Sequence, residues 1–255
     1  RDEACVDLGP GPACAAEVSA CGSCGSDEAC VMGPNGAECA VEIPTLALDD
    51  LPRGTGLFSS LVLTATGSPQ IVYYDRIGGD LRLARFDGAQ FRLRTLDGAD
   101  PMRPADVGAH ASAALTPEGS LAVAYMDFTS DDLVYLDVAS GTREIVDDGV
   151  TPPDLRMVGA DASLVFDPAG RPAIAYQDGT RLDLVYARRT GSPPVWSTRV
   201  VRGAPPSANA MGTAAGFYAT QDVAGGRAHV ASVAVGFDPE SNLQLELTVD
   251  PVDLD

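Results

Sequence analysis

The sequence predicts an all-β protein in which a small disulfide-rich segment precedes a series of repeated four-stranded units. Three observations support this prediction. All six cysteines lie in the first 40 of the 255 residues, matching residues recur at a constant offset through the rest of the chain, and Gly, Pro and Asp divide each recurrence into short apolar runs. The later part is long enough to bury a core of its own, whereas the first part needs covalent help. We therefore expect two domains, at 1–40 and 41–255.

The first segment is expected to be held together by disulfides. Its six cysteines fall within 35 residues among Gly, Pro, Asp and Ser, and an even number at this density is typical of a secreted, disulfide-bonded module. Cys21 and Cys24 also have zinc-knuckle spacing, but the segment lacks the second pair or the histidines that complete a structural zinc site. The segment resembles bacterial EGF-like modules in cysteine density, and the pairing stays open. The cysteines are Cys5, Cys14, Cys21, Cys24, Cys30 and Cys39.

The rest of the chain contains a repeat of 51 or 52 residues. A serine, a glycine, a tyrosine and an aspartate recur at equivalent places in three consecutive segments, and an Asp-Leu pair follows each set. So many matches at one offset do not arise from composition, and they indicate a structural repeat. The matching residues are Ser60, Gly67, Tyr73 and Asp75, then Ser112, Gly119, Tyr125 and Asp127, then Ser163, Gly170, Tyr176 and Asp178. The expected units are about 56–98, 108–149 and 159–203, with a degenerate fourth at 210–255.

Each unit is expected to form four short antiparallel strands. The second strand is apolar at every position, as in 173–176, whereas the fourth alternates, as in 91–94. Strands covered on both faces read as the former and half-exposed outer strands as the latter. Recurring four-stranded units of this kind are typical of the blades of a β-propeller. The expected fold is a propeller of about four blades.

The second strand resembles that of bacterial extracellular β-propeller repeats, which read G-x-P-x-I-x-Y-x-D. Gly67 to Asp75 and Gly170 to Asp178 follow this pattern, and the second unit departs from it with Leu121 in place of proline. The resemblance implies the fold and no particular function, because propellers host many unrelated functions.

The ends of the propeller leave alternatives open. The fourth unit ends before a convincing fourth strand, and the segment from Val41 to Leu48 precedes the first unit. Pro44 suits an edge strand, so this segment can complete the last blade and close the ring. Alternatively, the chain is part of a larger propeller, or another chain completes it.

Charge and hydropathy exclude some partners. The chain has 36 acidic and 17 basic residues, for a formal net charge of −19. Such a surface repels nucleic-acid phosphates, and no apolar run of about 18 residues predicts a membrane-spanning segment. A protein or glycan partner, or cations, therefore remain. The cysteines predict a secreted, cell-surface or periplasmic location.

Aspartates cluster after the second strand of each unit and form the candidate binding face. Carboxylates in equivalent loops can hold a hard cation such as calcium, or a basic ligand. The favoured alternative is that each aspartate caps its own turn, since a structural need recurs in every blade. No other cofactor is expected. The candidate residues are Asp75, Asp80, Asp127, Asp131, Asp132, Asp178 and Asp183.

The sequence contains no catalytic signature. His110 stands just before an inner strand and is interpreted as a solvated loop residue, whereas His229 is expected to pack in a core. The favoured interpretation is a non-catalytic extracellular binding or scaffold protein that uses the acidic loop face. The alternative is a propeller enzyme acting on extracellular glycans. Arg, Glu and Tyr residues from different blades, clustered at the channel mouth, distinguish the enzyme.

Overall fold

The computed structural model contains two compact units, Arg1–Pro52 and Arg53–Asp255. The structure describes residues 3–7, 12–16, 20–25, 28–33, 36–41, 54–98, 105–151, 154–203, 214–237 and 242–254. All regular elements among them are β-strands, so the predicted all-β class is confirmed.

The described part of the N-terminal unit contains two antiparallel hairpins, and two disulfides join residues 20–25 to the second hairpin. Cys21 bonds to Cys30 and Cys24 to Cys39, with Cα separations of 5.8 and 5.5 Å. The predicted disulfide-rich region is therefore present, and these cysteines offer no thiolate to zinc. Residue 5 lies opposite residue 14 in the first hairpin, and nothing further is described of that cysteine pair. The strands are β1 (Glu3–Asp7), β2 (Pro12–Ala16), β3 (Glu28–Gly33) and β4 (Gly36–Val41).

The second unit contains four antiparallel sheets, the blades of a propeller. The first three blades have four strands each, and the fourth has three within the described part of the chain. Blade 1 contains β5 (Thr55–Leu63), β6 (Pro69–Asp75), β7 (Asp80–Phe86) and β8 (Phe91–Asp97). Blade 2 contains β9 (Val107–Leu115), β10 (Leu121–Asp127), β11 (Asp132–Asp137) and β12 (Thr142–Asp147). A short hairpin follows, β13 (Val150–Thr151) and β14 (Asp154–Leu155).

The remaining blades continue the same up-and-down order. Blade 3 contains β15 (Val158–Phe166), β16 (Pro172–Asp178), β17 (Asp183–Thr190) and β18 (Val195–Arg202). Blade 4 contains β19 (Ala214–Ala224), β20 (Arg227–Phe237) and β21 (Leu243–Asp253). Of the proposed closing strand, Val41 belongs to β4 and pairs with Glu28, and residues 42–48 lie outside the described residues.

Apolar side chains fill each junction between successive blades. The second strands β10 and β16 are buried at every residue, as their uninterrupted apolar sequences predict, whereas the first half of β8 is exposed. Three clusters of buried residues join blade 1 to blade 2, blade 2 to blade 3, and blade 3 to blade 4. The propeller core is thus a series of interfaces between neighbouring sheets.

A buried polar network joins the blades at two of these junctions. The hydroxyl of Tyr125 in blade 2 donates to Asp97 in blade 1, and Arg143 binds the same carboxylate. Blade 3 repeats the arrangement: Tyr176 donates to Asp147 of blade 2. Burial and the neighbouring carboxylate raise the pKa of both tyrosines, so the phenols stay protonated and act as donors. The repeated tyrosine therefore packs between blades and hydrogen-bonds there.

The repeated serine links the inner strands. The hydroxyl oxygen of Ser60 accepts the backbone N–H of Ala113 in the next blade at 3.0 Å. Ser112 accepts the N–H of Leu164 at 2.9 Å, and Ser163 accepts that of Gln221 at 3.2 Å. Each blade thus fixes the backbone of its successor beside the central channel.

Candidate functional site

One side chain from each blade projects from the same irregular point of its inner strand. The pairing of each first strand with the second shifts register there, which marks a β-bulge or a similar irregularity. The residue at this point has a left-handed backbone although it is not glycine, a conformation that costs energy and concentrates at functional sites. The four residues and their φ values are Phe58 (50°), His110 (52°), Asp161 (49°) and Tyr218 (54°).

A glycine two residues earlier sets up each of these points. At Gly108, φ is +105°, and a Cβ would come within 2.8 Å of Leu81 in the preceding blade. Any other residue there would adopt a strained backbone conformation, and its Cβ would also overlap Leu81. The glycine lets the inner strand of one blade approach the third strand of the preceding blade, and the residue that follows it by two carries the side chain that projects from the irregular point.

The four residues line one cleft of about 200 Å³. Phe58, His110, Asp161 and Tyr218 are accompanied there by Ser59 and by the alanines that follow the other three. Every blade therefore contributes, and the four contributions differ in chemistry. Among the described residues that line the cleft, Asp161 is the only carboxylate.

His110 and Asp161 form the polar centre of the cleft. The His110 Nδ1 lies 3.1 Å from the Asp161 Oδ1 and 2.9 Å from the Asp161 backbone nitrogen. A protonated Nδ1 donates to the carboxylate, whereas a bare Nδ1 accepts from the N–H, so both protonation states have a partner. Among the described residues, Nε2 has no partner. The ring is therefore fixed at one nitrogen and available at the other.

The carboxylate of Asp161 is held in its ionised form. Burial raises its pKa, but hydrogen bonds from His110 and from the backbone N–H of Tyr218 outweigh this effect, and the net pKa lies below the ordinary value. The Tyr218 N–H donates to Oδ2 at 2.8 Å. At neutral pH, Asp161 is thus an oriented negative charge beside the imidazole.

Aromatic rings form the apolar walls of the cleft. The Phe58 ring lies 4.2 Å from the His110 ring between centroids, tilted by 33°. Tyr218 is 78% exposed, so its ring and hydroxyl are open to solvent. Flat aromatic surfaces beside a polar centre suit a ligand with both apolar faces and hydroxyl groups.

The aspartates predicted as a cation or ligand face lie elsewhere, and none of the seven lines the cleft. The Oδ1 atom of Asp178 accepts the N–H groups of its own turn at 2.9 and 3.0 Å, and its Oδ2 binds Arg156 at 2.6 Å. Asp127 similarly caps its turn and binds Arg143 at 2.7 Å. Asp75 makes the same contacts at longer distances, 3.3 to 3.4 Å.

The other four aspartates of the predicted face have different surroundings. Burial raises the pKa of Asp80 and of Asp132. Asp183 is hydrogen-bonded or paired, and Asp131 has a left-handed backbone.

We expect millimolar calcium to raise the melting temperature no more than sodium chloride at equal ionic strength. The carboxylates of Asp75, Asp127 and Asp178 already bind backbone N–H groups and arginines, so calcium would have to displace them. Thermal unfolding in the two salts tests this. A large calcium-specific rise, absent after Asp127→Asn and Asp132→Asn, would instead establish a cation site.

The sequence analysis identified His110 but missed its three partners. His110 lies within β9, partly buried in the cleft, so its interpretation as a solvated loop residue is wrong. His229 is exposed on β20, so its assignment to a core is also wrong. The overlooked signal is a Gly-x-X-x-Ser/Thr motif whose variable central residue recurs with the repeat. Its occurrences are 56–60, 108–112, 159–163 and 216–220.

Within the described ranges, no helix is long and apolar enough to cross a membrane.

Comparisons with known proteins identify the fold. No protein-family model matches the sequence, and no curated protein does. Among solved structures, the chain is similar to the GH93 α-L-arabinofuranosidase of Fusarium graminearum bound to arabinobiose, with 12% identity and a TM-score of 0.52 over 82% of this chain and 64% of that one. The arabinofuranosidase Arb93A of the same organism, with an iminosugar inhibitor, gives 12% and 0.51 over 79% and 64%. The chain thus spans slightly less than two thirds of these neighbours.

These findings correct the favoured functional interpretation. A non-catalytic scaffold acting through the acidic loop face was expected, but the neighbours that share the fold are named as glycosidases. In addition, a histidine, an aspartate and a tyrosine from three different blades meet in the cleft. The set differs from the Arg, Glu and Tyr expected of the enzyme alternative but likewise combines dissimilar polar residues. The scaffold interpretation is therefore abandoned.

Proposed function

We propose that the protein is a propeller-type enzyme that acts on extracellular glycans and that the cleft at His110 is its active site. One observation carries this proposal: four equivalent, strained backbone positions present Phe, His, Asp and Tyr to a single cleft. A purely structural role would favour the same residue in every blade, as happens with the repeated serine. The names of the similar structures support the choice of glycans.

His110 is the proposed proton-transfer group. Its free Nε2 can take a proton from a water or a sugar hydroxyl and return one to a departing oxygen, while Asp161 fixes the ring and stabilises the imidazolium. Phe58 and Tyr218 are proposed to pack against the sugar ring. Most glycoside hydrolases use a pair of carboxylates, whereas the described residues of this cleft include one, Asp161, so His110 takes the role of proton-transfer group here.

The N-terminal unit supports an extracellular setting. Two disulfides are described there, and such bonds persist in oxidising compartments. We propose a secreted, cell-surface or periplasmic protein of the bacterial propeller type, with an EGF-like module as a tether. A glycan is the proposed partner.

The test is release of reducing ends from a panel of neutral and acidic polysaccharides. We expect His110→Asn to lower kcat/KM by about 10²- to 10⁴-fold, the usual contribution of a general acid or base. His229→Asn, at the second histidine of the chain, is the matched control and should keep full activity. Melting temperatures of both variants check that each one folds.

Two outcomes would contradict the proposal. One is a panel on which the folded wild-type protein releases nothing. The other is activity that His110→Asn and His229→Asn retain equally, which would place the chemistry outside this cleft.

A further inference from the structure

A second and larger cavity lies between blades 1 and 2, towards the β5–β6 and β9–β10 turns, at the ends of the inner strands that lie away from His110. Its volume is about 520 Å³. Arg85, Arg92 and Arg94 of blade 1 line one side, and Gly119 to Leu121 of blade 2 line the other. The cavity uses none of the residues of the cleft.

The cavity exists because one hairpin is short. At the junction of blades 2 and 3, the β17–β18 hairpin extends to the pair Thr190–Val195 and places Arg189 and Trp196 against blade 2. The equivalent β11–β12 hairpin of blade 2 closes at the pair Asp137–Thr142. Blade 2 therefore has no such arginine or tryptophan to fill the space beside blade 1.

The charges at the two junctions are also reversed. In blade 2, Glu144 pairs in register with Tyr135, and its carboxylate binds Arg189 at 2.7 Å and the Trp196 Nε1 at 2.8 Å. In blade 1, the position equivalent to Glu144 is Arg94, which pairs with Leu83. An arginine thus stands where its neighbouring junction has a carboxylate, and blade 2 supplies no acid to meet it.

Polar groups in this cavity lack protein partners. Within the described ranges, the side chains of Arg85 and Arg94 make no hydrogen bond or ion pair, whereas the side chain of Arg92 binds Asp87 at 2.7 Å. Gln70 is 8% exposed, lines the same cavity and has no hydrogen-bond partner among the described residues. The guanidinium groups of Arg85 and Arg94 are exposed to solvent, and no acid among the described residues pairs with them.

We propose that this cavity binds the carboxylate of an acidic sugar residue, of the uronic acid class. Guanidinium groups match a carboxylate in a planar, paired geometry, and Gln70 can hydrogen-bond a neighbouring hydroxyl. Leu83 and Leu121 supply an apolar floor for the sugar ring. The volume exceeds that of a single small anion, which favours a sugar over free sulfate or phosphate. The choice of a sugar rests on the proposed function, whereas the site for an anion does not.

The test is calorimetric titration of the His110→Asn protein with a uronic acid oligomer, at about 0.15 M salt to limit long-range repulsion. We expect binding that falls roughly 10- to 100-fold in an Arg85→Gln, Arg94→Gln double variant, the range for lost hydrogen bonds to charged groups. Arg227→Gln, in blade 4 and paired with Asp253 at 2.7 Å, lies outside the cavity and should bind as before. The methyl-esterified oligomer should bind as weakly to the unaltered site as the acid does to the double variant.

Three outcomes would overturn the inference. Equal binding by the double variant would place the anion elsewhere, and equal binding of the methyl ester would remove the role of the carboxylate. Direct binding of inorganic sulfate, together with no affinity for the oligomer, would reduce the site to a small-anion site. Because the reducing-end assay reports on His110 alone, cleavage of neutral glycans without uronate binding would sink this inference and leave the proposed function standing.

Discussion

Replacing Asp178 with alanine is expected to lower the free energy of unfolding by about 3–5 kcal/mol, because the change removes the shorter of the two carboxylate contacts of a buried arginine together with the cap of a turn. The Asp178 side chain is 1% exposed, and that of Arg156 is 11% exposed. Their contact at 2.6 Å anchors the polar network between blades 2 and 3, and the same carboxylate caps the following turn. Denaturant unfolding followed by circular dichroism measures the loss.

Blade 1 provides the matched control for this change. Asp75 is the equivalent residue, but its side chain is 16% exposed and its contact with Arg82 is 3.4 Å long. Because a solvated pair of this kind contributes little, we expect Asp75→Ala to cost about 1 kcal/mol. Equal losses in the two variants would mean that turn capping, which both aspartates share, dominates and that the buried pair adds nothing.

Replacing Gly108 with alanine is expected to cost about 2–5 kcal/mol, since backbone strain and crowding act together there. The new Cβ would meet Leu81 of the preceding blade at 2.8 Å in a backbone at φ +105°. Gly56 is the equivalent residue of blade 1, at φ +92°, and a Cβ there meets nothing within 4 Å. Gly56→Ala should therefore lower the free energy of unfolding only by the backbone strain, about 1–3 kcal/mol.

The difference between these glycine variants measures the contact between β9 of blade 2 and β7 of blade 1. Thermal and denaturant unfolding of both, compared with the wild-type protein, gives it directly. If Gly56→Ala is as costly as Gly108→Ala, then the close approach of blade 2 to blade 1 contributes nothing, and backbone conformation alone explains why glycine stands there.

The fold could be predicted from the sequence because the packing of successive blades requires the same residue types at equivalent positions. A strand covered on both faces contains a continuous apolar run, as residues 121–126 of β10 and 172–176 of β16 do. Residues with the same structural duty in each blade recur at one offset, as Ser60 and Ser112 do. The incomplete fourth blade was also visible, since its repeat residues are lost. Packing and backbone hydrogen bonding thus produce the same sequence pattern in successive blades, which makes the pattern detectable.

The site was not readable in the same way. A search for identical residues finds what the blades share, whereas the cleft is built from what they do not share. Phe58, Asp161 and Tyr218 occupy equivalent points with different side chains, so no residue type repeats there. His110 was noticed only for its rarity. The cavity beside Arg94 depends on a hairpin length in the next blade, which no local pattern reveals.

The backbone around the cleft is fixed in part by groups outside the cleft and in part by two of its side chains. A glycine precedes each of the four points, and in blades 2 to 4 the serine of the previous blade also holds the inner strand. Within the cleft, His110 accepts the Asp161 N–H, and Asp161 accepts the Tyr218 N–H. The side chains of Phe58 and Tyr218 hold no backbone group among the described contacts. A designer can therefore vary these two positions as a small combinatorial library while His110 and Asp161 keep the main chain of the cleft in place.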